Sequence, residues 1–190
     1  MSVVRLTSAA HNAAETYVAT LSCYAAIYDE ASPANIEGFM ERELEASEQQ
    51  LDAIGKDRWL TIFAFNDRLI DRASRGELLA WTLVFDGVFR AVIEVGEPLG
   101  PESSPPPLID NLGLPLAADL ICSTGRLVVG CLSCLGQQQT PVAIVEPGTY
   151  RVNFTCDAEE EAKHMDLEAR SDYPPGEGPD WRLALNRVQP

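Results

Sequence analysis

The side chains able to do chemistry in this sequence are cysteines, histidines and clustered carboxylates. Cys131 and Cys134 stand as Cys-Leu-Ser-Cys, the spacing of half a zinc site, which Cys122, Cys156 and His164 could complete by folding together. Zinc knuckles carry such a pair in a tight turn. Here it ends an apolar Leu-Val-Val run, whose strand period sends Cys131 and Cys134 to opposite faces. The cysteines therefore read as core packing, and neither a metal nor a cofactor is expected. A redox role would need a thiolate at a helix N-terminus, and none is visible. His11 and His164 alone titrate near neutrality at their ordinary values, so any Ser–His–Asp or Cys–His mechanism must use one of them. His164 follows Asp157, Glu159, Glu160 and Glu161, whose field favours its charged form over a neutral general base. No nucleophile elbow, HExxH, phosphate-binding glycine loop or dinucleotide fingerprint occurs, and the Asp157 run lacks the alternating ligands of a calcium loop. An enzyme built from this chain would be a carboxylate-based hydrolase. That alternative stays open, because the separation of acidic pairs is invisible in a sequence.

The carboxylates themselves are patterned. Glu37, Glu41, Glu45, Glu48 and Asp52 recur at steps of four, four, three and four, so they line one edge of a helix. Asp157, Glu159, Glu160 and Glu161 form a second patch with Asp166 and Glu168. Like charges so spaced disfavour an isolated helix by a few tenths of a kcal/mol per pair, by order of magnitude. One reading is a solvating face on a structural or assembly module. The other is a partner-binding stripe for a basic protein, whose complementary field would speed capture at low salt. Fourteen Lys plus Arg against twenty-nine Asp plus Glu leave a net charge of −15, which argues against nucleic acid as a partner. The odd cysteine count of five and the absence of an apolar leader point to a reducing, cytoplasmic setting. No apolar run approaches the roughly 18 residues of a membrane span, so no membrane partner is expected. Oligomeric state has no signature here.

Those groups need a frame. In residues 15–28, Tyr17, Leu21, Tyr24 and Tyr28 fall at helical steps, although the alternation from Val18 to Cys23 also fits a strand. Ser32-Pro33 opens a helix with an N-cap and a first-turn proline. Ile36, Met40, Leu44, Ser47, Leu51 and Ile54 carry its apolar stripe, and Gly55 closes it. Trp59 to Phe65 is apolar and aromatic at almost every position and reads as a central strand. Leu79 to Phe85 and Val88 to Val95 flank Asp86-Gly87, a hairpin signal that would set Arg90 and Glu94 beside Trp81. The proline-rich stretch 96–115 reads as a linker or long surface loop. Ala118 to Cys122, Arg126 to Leu132, Pro141 to Val145, Thr149 to Cys156, His164 to Arg170 and Trp181 to Val188 read as a meander of strands. Tyr150, Val152, Phe154 and Cys156 are expected inward, with Arg151, Asn153 and Thr155 wet.

The run Val145-Glu-Pro-Gly-Thr-Tyr-Arg-Val152, followed after an acidic hairpin by Asp180-Trp-Arg-Leu-Ala-Leu185, resembles the closing strands of small bacterial β-sandwich proteins. These include immunity proteins of toxin systems and proteins like the competence-nuclease inhibitor. The resemblance covers the last quarter of the chain; the helical first third departs from that pattern. It implies a non-enzymatic inhibitor and transfers no binding residues. The expected fold is α+β, an antiparallel β-sandwich or bent sheet with N-terminal helices packed on one side. It forms a single domain over 1–190, with a helical part at about 8–56 and a β-rich part at about 57–190. The expected function is stoichiometric binding of a basic protein, a cognate toxin or nuclease, through the acidic residues named above.

Overall fold

A computed structural model describes residues 4–6, 13–20, 24–35, 38–51, 58–82, 87–100, 109–110, 112–132, 141–156 and 181–189. Their elements run β1 (Val4–Arg5), β2 (Ala13–Thr20), β3 (Tyr24–Asp29), α1 (Phe39–Leu51), α2 (Arg58–Ser74), β4 (Leu79–Thr82), β5 (Gly87–Val95), β6 (Ala117–Cys122), β7 (Arg126–Cys131), β8 (Ala143–Ile144), β9 (Gly148–Cys156) and β10 (Trp181–Arg187). The strands form two five-stranded sheets. The first, sheet A, has the order β1-β8-β7-β3-β4, and the second, sheet B, the order β2-β5-β10-β9-β6. Most neighbours are antiparallel; β1 with β8 and β10 with β5 are parallel. The expected α+β fold with helices on one side is what forms.

Two cores follow from the layering. Between the sheets, alternate residues of each strand interdigitate: Ala25 and Ile27 of β3, Leu127 and Val129 of β7, Phe89, Ala91 and Ile93 of β5, and Leu183 and Leu185 of β10. The aromatic rings lock this layer across the gap. Trp81 of sheet A stacks on Phe154 of sheet B at 4.5 Å between centroids, and Trp181 stacks on Phe89 at the same distance. The two tryptophans meet edge to face at 5.3 Å. On the far side of sheet A, Tyr24, Ala26, Tyr28, Ala80 and Val128 pack under Phe39 of α1 and Phe65 and Leu69 of α2. Sheet A is thus covered on both faces, which is why every residue of β3 is buried and its alternation is hidden from the sequence.

Several expectations change. Residues 15–28 are not a helix but parts of β2 and β3, with Ala14, Thr16 and Val18 inward. The helical steps between the tyrosines are a coincidence of two separate strands, and the strand alternative is the one that forms over the described residues. Trp59 to Phe65 is not a central strand; it is the first half of α2, whose buried Phe65, Leu69 and Ala73 recur every fourth residue. Gly76 ends that helix in a left-handed conformation with φ of 72°. Its N–H donates to Ala73 O at 3.0 Å and the Glu77 N–H to Arg72 O at 3.1 Å, a Schellman arrangement. The helical part therefore does not occupy about 8–56: strands precede α1, and α2 lies within the stretch expected to be β-rich.

The Asp86-Gly87 hairpin does not form either. β4 pairs with β3 in sheet A, whereas β5 pairs with β2 and β10 in sheet B, so the two strands lie in different layers; residues 83–86 lie outside the described residues. Arg90 consequently pairs with Glu15 across β2 and β5, while Trp81 sits buried in the other sheet. β6 and β7 likewise fall in different sheets, as do β8 and β9, whereas β7 with β8 and β9 with β10 are antiparallel neighbours as the meander expects; the strand expected at His164 to Arg170 lies outside the described residues. The inward set Tyr150, Val152 and Phe154 holds, and Trp181 lies in the core. Arg151 is not wet. It is buried at 3 % exposure against Asp119, whose Oδ1 accepts from Arg151 Nε at 2.6 Å.

Free edges are closed by side chains and loops. Asp110 Oδ2 accepts from the N–H and Oγ1 of Thr82 on edge strand β4, at 2.9 and 2.8 Å. Its Oδ1 accepts from Leu112 N and Leu114 N, both at 2.9 Å, so one carboxylate ties the end of the proline-rich stretch to the sheet. The Ile121 N–H of edge strand β6 donates to Gly76 O at 2.9 Å.

Candidate functional site

The acidic stripe depends on how α1 is held. Gly38, at φ of 68°, turns the chain into the helix. Phe39, Glu43 and Ser47 then share the buried face, with Met40 and Leu44 beside them. Glu43 stands among the stripe's glutamates in sequence but not on their face. It is 4 % exposed and faces α2, where Arg68 Nε donates to its Oε2 at 2.6 Å and Arg72 Nη2 donates to its Oε1. Arg72 Nη1 also donates to Glu77 Oε2 at 2.6 Å, and its guanidinium lies 5.1 Å from the centroid of the Phe39 ring. Burial pushes the Glu43 carboxyl up, but the hydrogen bonds from Arg72 and Arg68 and their charge outweigh it and hold it below its ordinary range. Glu77 is lowered in the same way: burial opposes, and Arg75 and Arg72 prevail. Arginines at positions 68 and 72 on the α2 face toward α1 are the readable signal for this clamp, and the strand-like run from Trp59 to Phe65 hides it.

Opposite the clamp, Glu41, Glu45 and Glu48 are exposed on the outward face of α1. Helical phase explains the split, since these positions stand roughly 140° to 200° around the axis from Glu43. Among the described residues none of the three makes an ion pair. The structure therefore brings together Glu41, Glu45 and Glu48 as the stripe expected. Glu37, Asp52, Asp157, Glu159, Glu160, Glu161, Asp166 and Glu168 lie outside the described residues, as do His11, Cys134 and His164.

The groups considered for catalysis are placed differently. The Cys122 and Cys131 side chains are buried in the core between the sheets. Burial, with the Asp29 charge nearby, pushes the Cys122 thiol up to about 12, which suppresses the thiolate that ligation or attack requires. Asp29 is itself 2 % exposed and fully engaged. It accepts from Ala31 N at 3.1 Å, Ser123 Oγ at 3.2 Å, Thr124 N at 3.1 Å and Thr124 Oγ1 at 2.9 Å, so it fastens the β6–β7 turn and has no capacity left for a substrate. Among the described residues no three His, Cys, Asp or Glu side chains converge to hold a metal ion. No helix among them is long and apolar enough to cross a membrane.

No family model matches the sequence, and no curated protein matches it. Solved structures resemble it. "Crocagin biosynthetic gene J" is 22% identical over 94% of this chain and 98% of its own, with a TM-score of 0.56. ComJ from Bacillus subtilis, described as an inhibitor of the DNA degrading activity of NucA, aligns over 94% of this chain and 99% of its own at 6% identity and a TM-score of 0.47. The first of these likenesses shows a shared fold.

Proposed function

We propose that the chain is a non-enzymatic binding protein that neutralises a basic protein, a toxin or nuclease, by stoichiometric association in the manner of an immunity protein. The observation that carries this reading is the outward face of α1, where Glu41, Glu45 and Glu48 stand exposed without ion partners among the described residues while Glu43 anchors the same helix to α2. Carboxylates that pair with no described group remain available to another molecule. A net charge of −15 extends their field, and complementary fields raise association rates by orders of magnitude at low salt. Glu37 and Asp52 would continue the stripe along the chain, and Asp157, Glu159, Glu160, Glu161, Asp166 and Glu168 would supply the second patch.

The test is titration of a basic toxin or nuclease encoded beside this gene with wild-type protein and with the E41K/E45K/E48K variant. The reading expects the association rate to fall about tenfold or more on charge reversal, and wild-type binding to weaken steeply with salt. Equal affinity for both proteins, unchanged between low and high salt, would defeat it.

A further inference from the structure

The large apolar side chains exposed among the described residues gather around one helix. Phe63 and Ile70 are 54 % and 38 % exposed on α2, Ile109 is 66 % exposed and Ile121 54 %. At about 100° per residue, Phe63 and Ile70 occupy one flank of α2, on the side away from Arg68 and Arg72, which face α1. Asn66 lies near the same flank and donates from Nδ2 to Leu112 O at 2.9 Å, holding the loop that carries Ile109 against it. Ile121 abuts the end of α2, where Gly76 leaves room for it: a Cβ at Gly76 would meet Ile121 Cγ1 at 2.7 Å. Asp67 sits between Phe63 and Ile70, exposed and without an ion partner among the described residues. A helix face that needed only solubility would carry polar residues at positions 63 and 70.

We propose that this strip of α2, Phe63 and Ile70 with Asp67 between them, is a docking surface for an amphipathic cationic segment of a partner protein. The inference rests on the basic-partner reading and supplies the chemistry of a second contact. Charge selects the occupant. A second copy of this chain would bring another −15 and set Asp67 against Asp67, whereas a segment with apolar side chains flanked by Lys or Arg satisfies both parts of the strip. The apolar side chains supply the part of the affinity that salt does not screen, and Asp67 fixes the register.

The experiment uses two labelled probes of equal charge, an amphipathic Leu/Lys helical peptide and an oligolysine, in fluorescence anisotropy against the full chain. Wild-type protein is expected to bind the Leu/Lys peptide about tenfold more tightly than oligolysine, a ratio that F63S/I70S abolishes while leaving oligolysine affinity unchanged. E41K/E45K/E48K should weaken oligolysine binding yet preserve the ratio. Both probes binding wild type equally, or a ratio that survives F63S/I70S, overturns this inference and leaves the basic-partner reading intact. Failure of both probes to bind at low salt overturns both. Sedimentation velocity closes the remaining route: a dimer of the wild type that F63S/I70S dissociates would assign the strip to a second copy and overturn the proposal. Both substituted side chains are exposed, and far-ultraviolet circular dichroism verifies that the variant is folded.

Discussion

Trp81 of sheet A stacks on Phe154 of sheet B, with 18° between the ring planes, so the two sheets are joined by direct aromatic contact at the centre of the molecule. Each ring lies on a different sheet, and neither can be shortened without opening a gap between layers.

Trp81→Ala should therefore destabilise the protein by about 3 to 5 kcal/mol, the scale for removing a large buried aromatic. Urea denaturation followed by circular dichroism measures this. Phe63→Ala, at a position 54 % exposed, serves as the control and should change stability by no more than about 0.5 kcal/mol.

Glu43→Gln should weaken the clamp between α1 and α2 and lower stability by about 1 to 3 kcal/mol, because Arg68 and Arg72 lose a charged acceptor. The pH dependence has a definite sign. The folded-state pKa of Glu43 is lowered from its ordinary 4.5, so its contribution is fully present above that value and disappears as pH falls through the lower folded value. The wild type should lose stability below about pH 4.5 more steeply than E43Q. Glu77, lowered for the same reason, leaves the variant a residual slope. Thermal denaturation across acidic pH separates the two curves.

Asp29→Ala should cost about 2 to 3 kcal/mol, since the donors of Thr124, Ser123 and Ala31 lose their buried acceptor together. Asp29→Asn retains one oxygen and should recover part of the loss. Equal stability of the alanine and asparagine variants would show that the carboxylate does not hold the β6–β7 turn.

Cys122 and Cys131 should resist alkylation by iodoacetamide at pH 8 in the native protein and react fully in denaturant, because both are buried and the Cys122 thiol is raised to about 12. Mass spectrometry of the labelled peptides reads each site separately. Rapid native labelling of Cys122 would contradict its burial.

Reversing Glu41, Glu45 and Glu48 to Lys should leave the stability nearly unchanged, within about 0.5 kcal/mol, since these side chains make no ion pair among the described residues. A large drop in stability would mean that the stripe is structural.

Local patterns were legible where one element meets water on one side. α1 announced itself by its apolar stripe and its outward glutamates, and β9 by the alternation of Tyr150, Val152 and Phe154. The layered middle defeated the same reasoning. β3 is buried on both faces and shows no period of two, so the spacing of Tyr24 and Tyr28 could pass for helical. In α2, a start that is apolar at almost every position from Trp59 to Phe65 imitates a covered strand; the decisive signs, Phe65-Leu69-Ala73 and the closing Gly76, come later in the chain. The hairpin expected at Asp86-Gly87 failed because turn chemistry is local, whereas the choice of sheet depends on partners distant in sequence. Of the site, the outward carboxylates of α1 were readable from spacing. The inward role of Glu43 was not, because it depends on arginines that face it only once α2 is a helix.

Sheet A meets water on neither face at its centre, and this divides the chain's freedom to change during evolution. Substitutions in β3, or in β7 from Leu127 onward, can register only as gain or loss of folding, since no visiting molecule touches those side chains. Drift that retunes which molecule is greeted is confined to the outer tiers, where the exposed sides of α1 and α2 can be rewritten without disturbing a single contact in the middle.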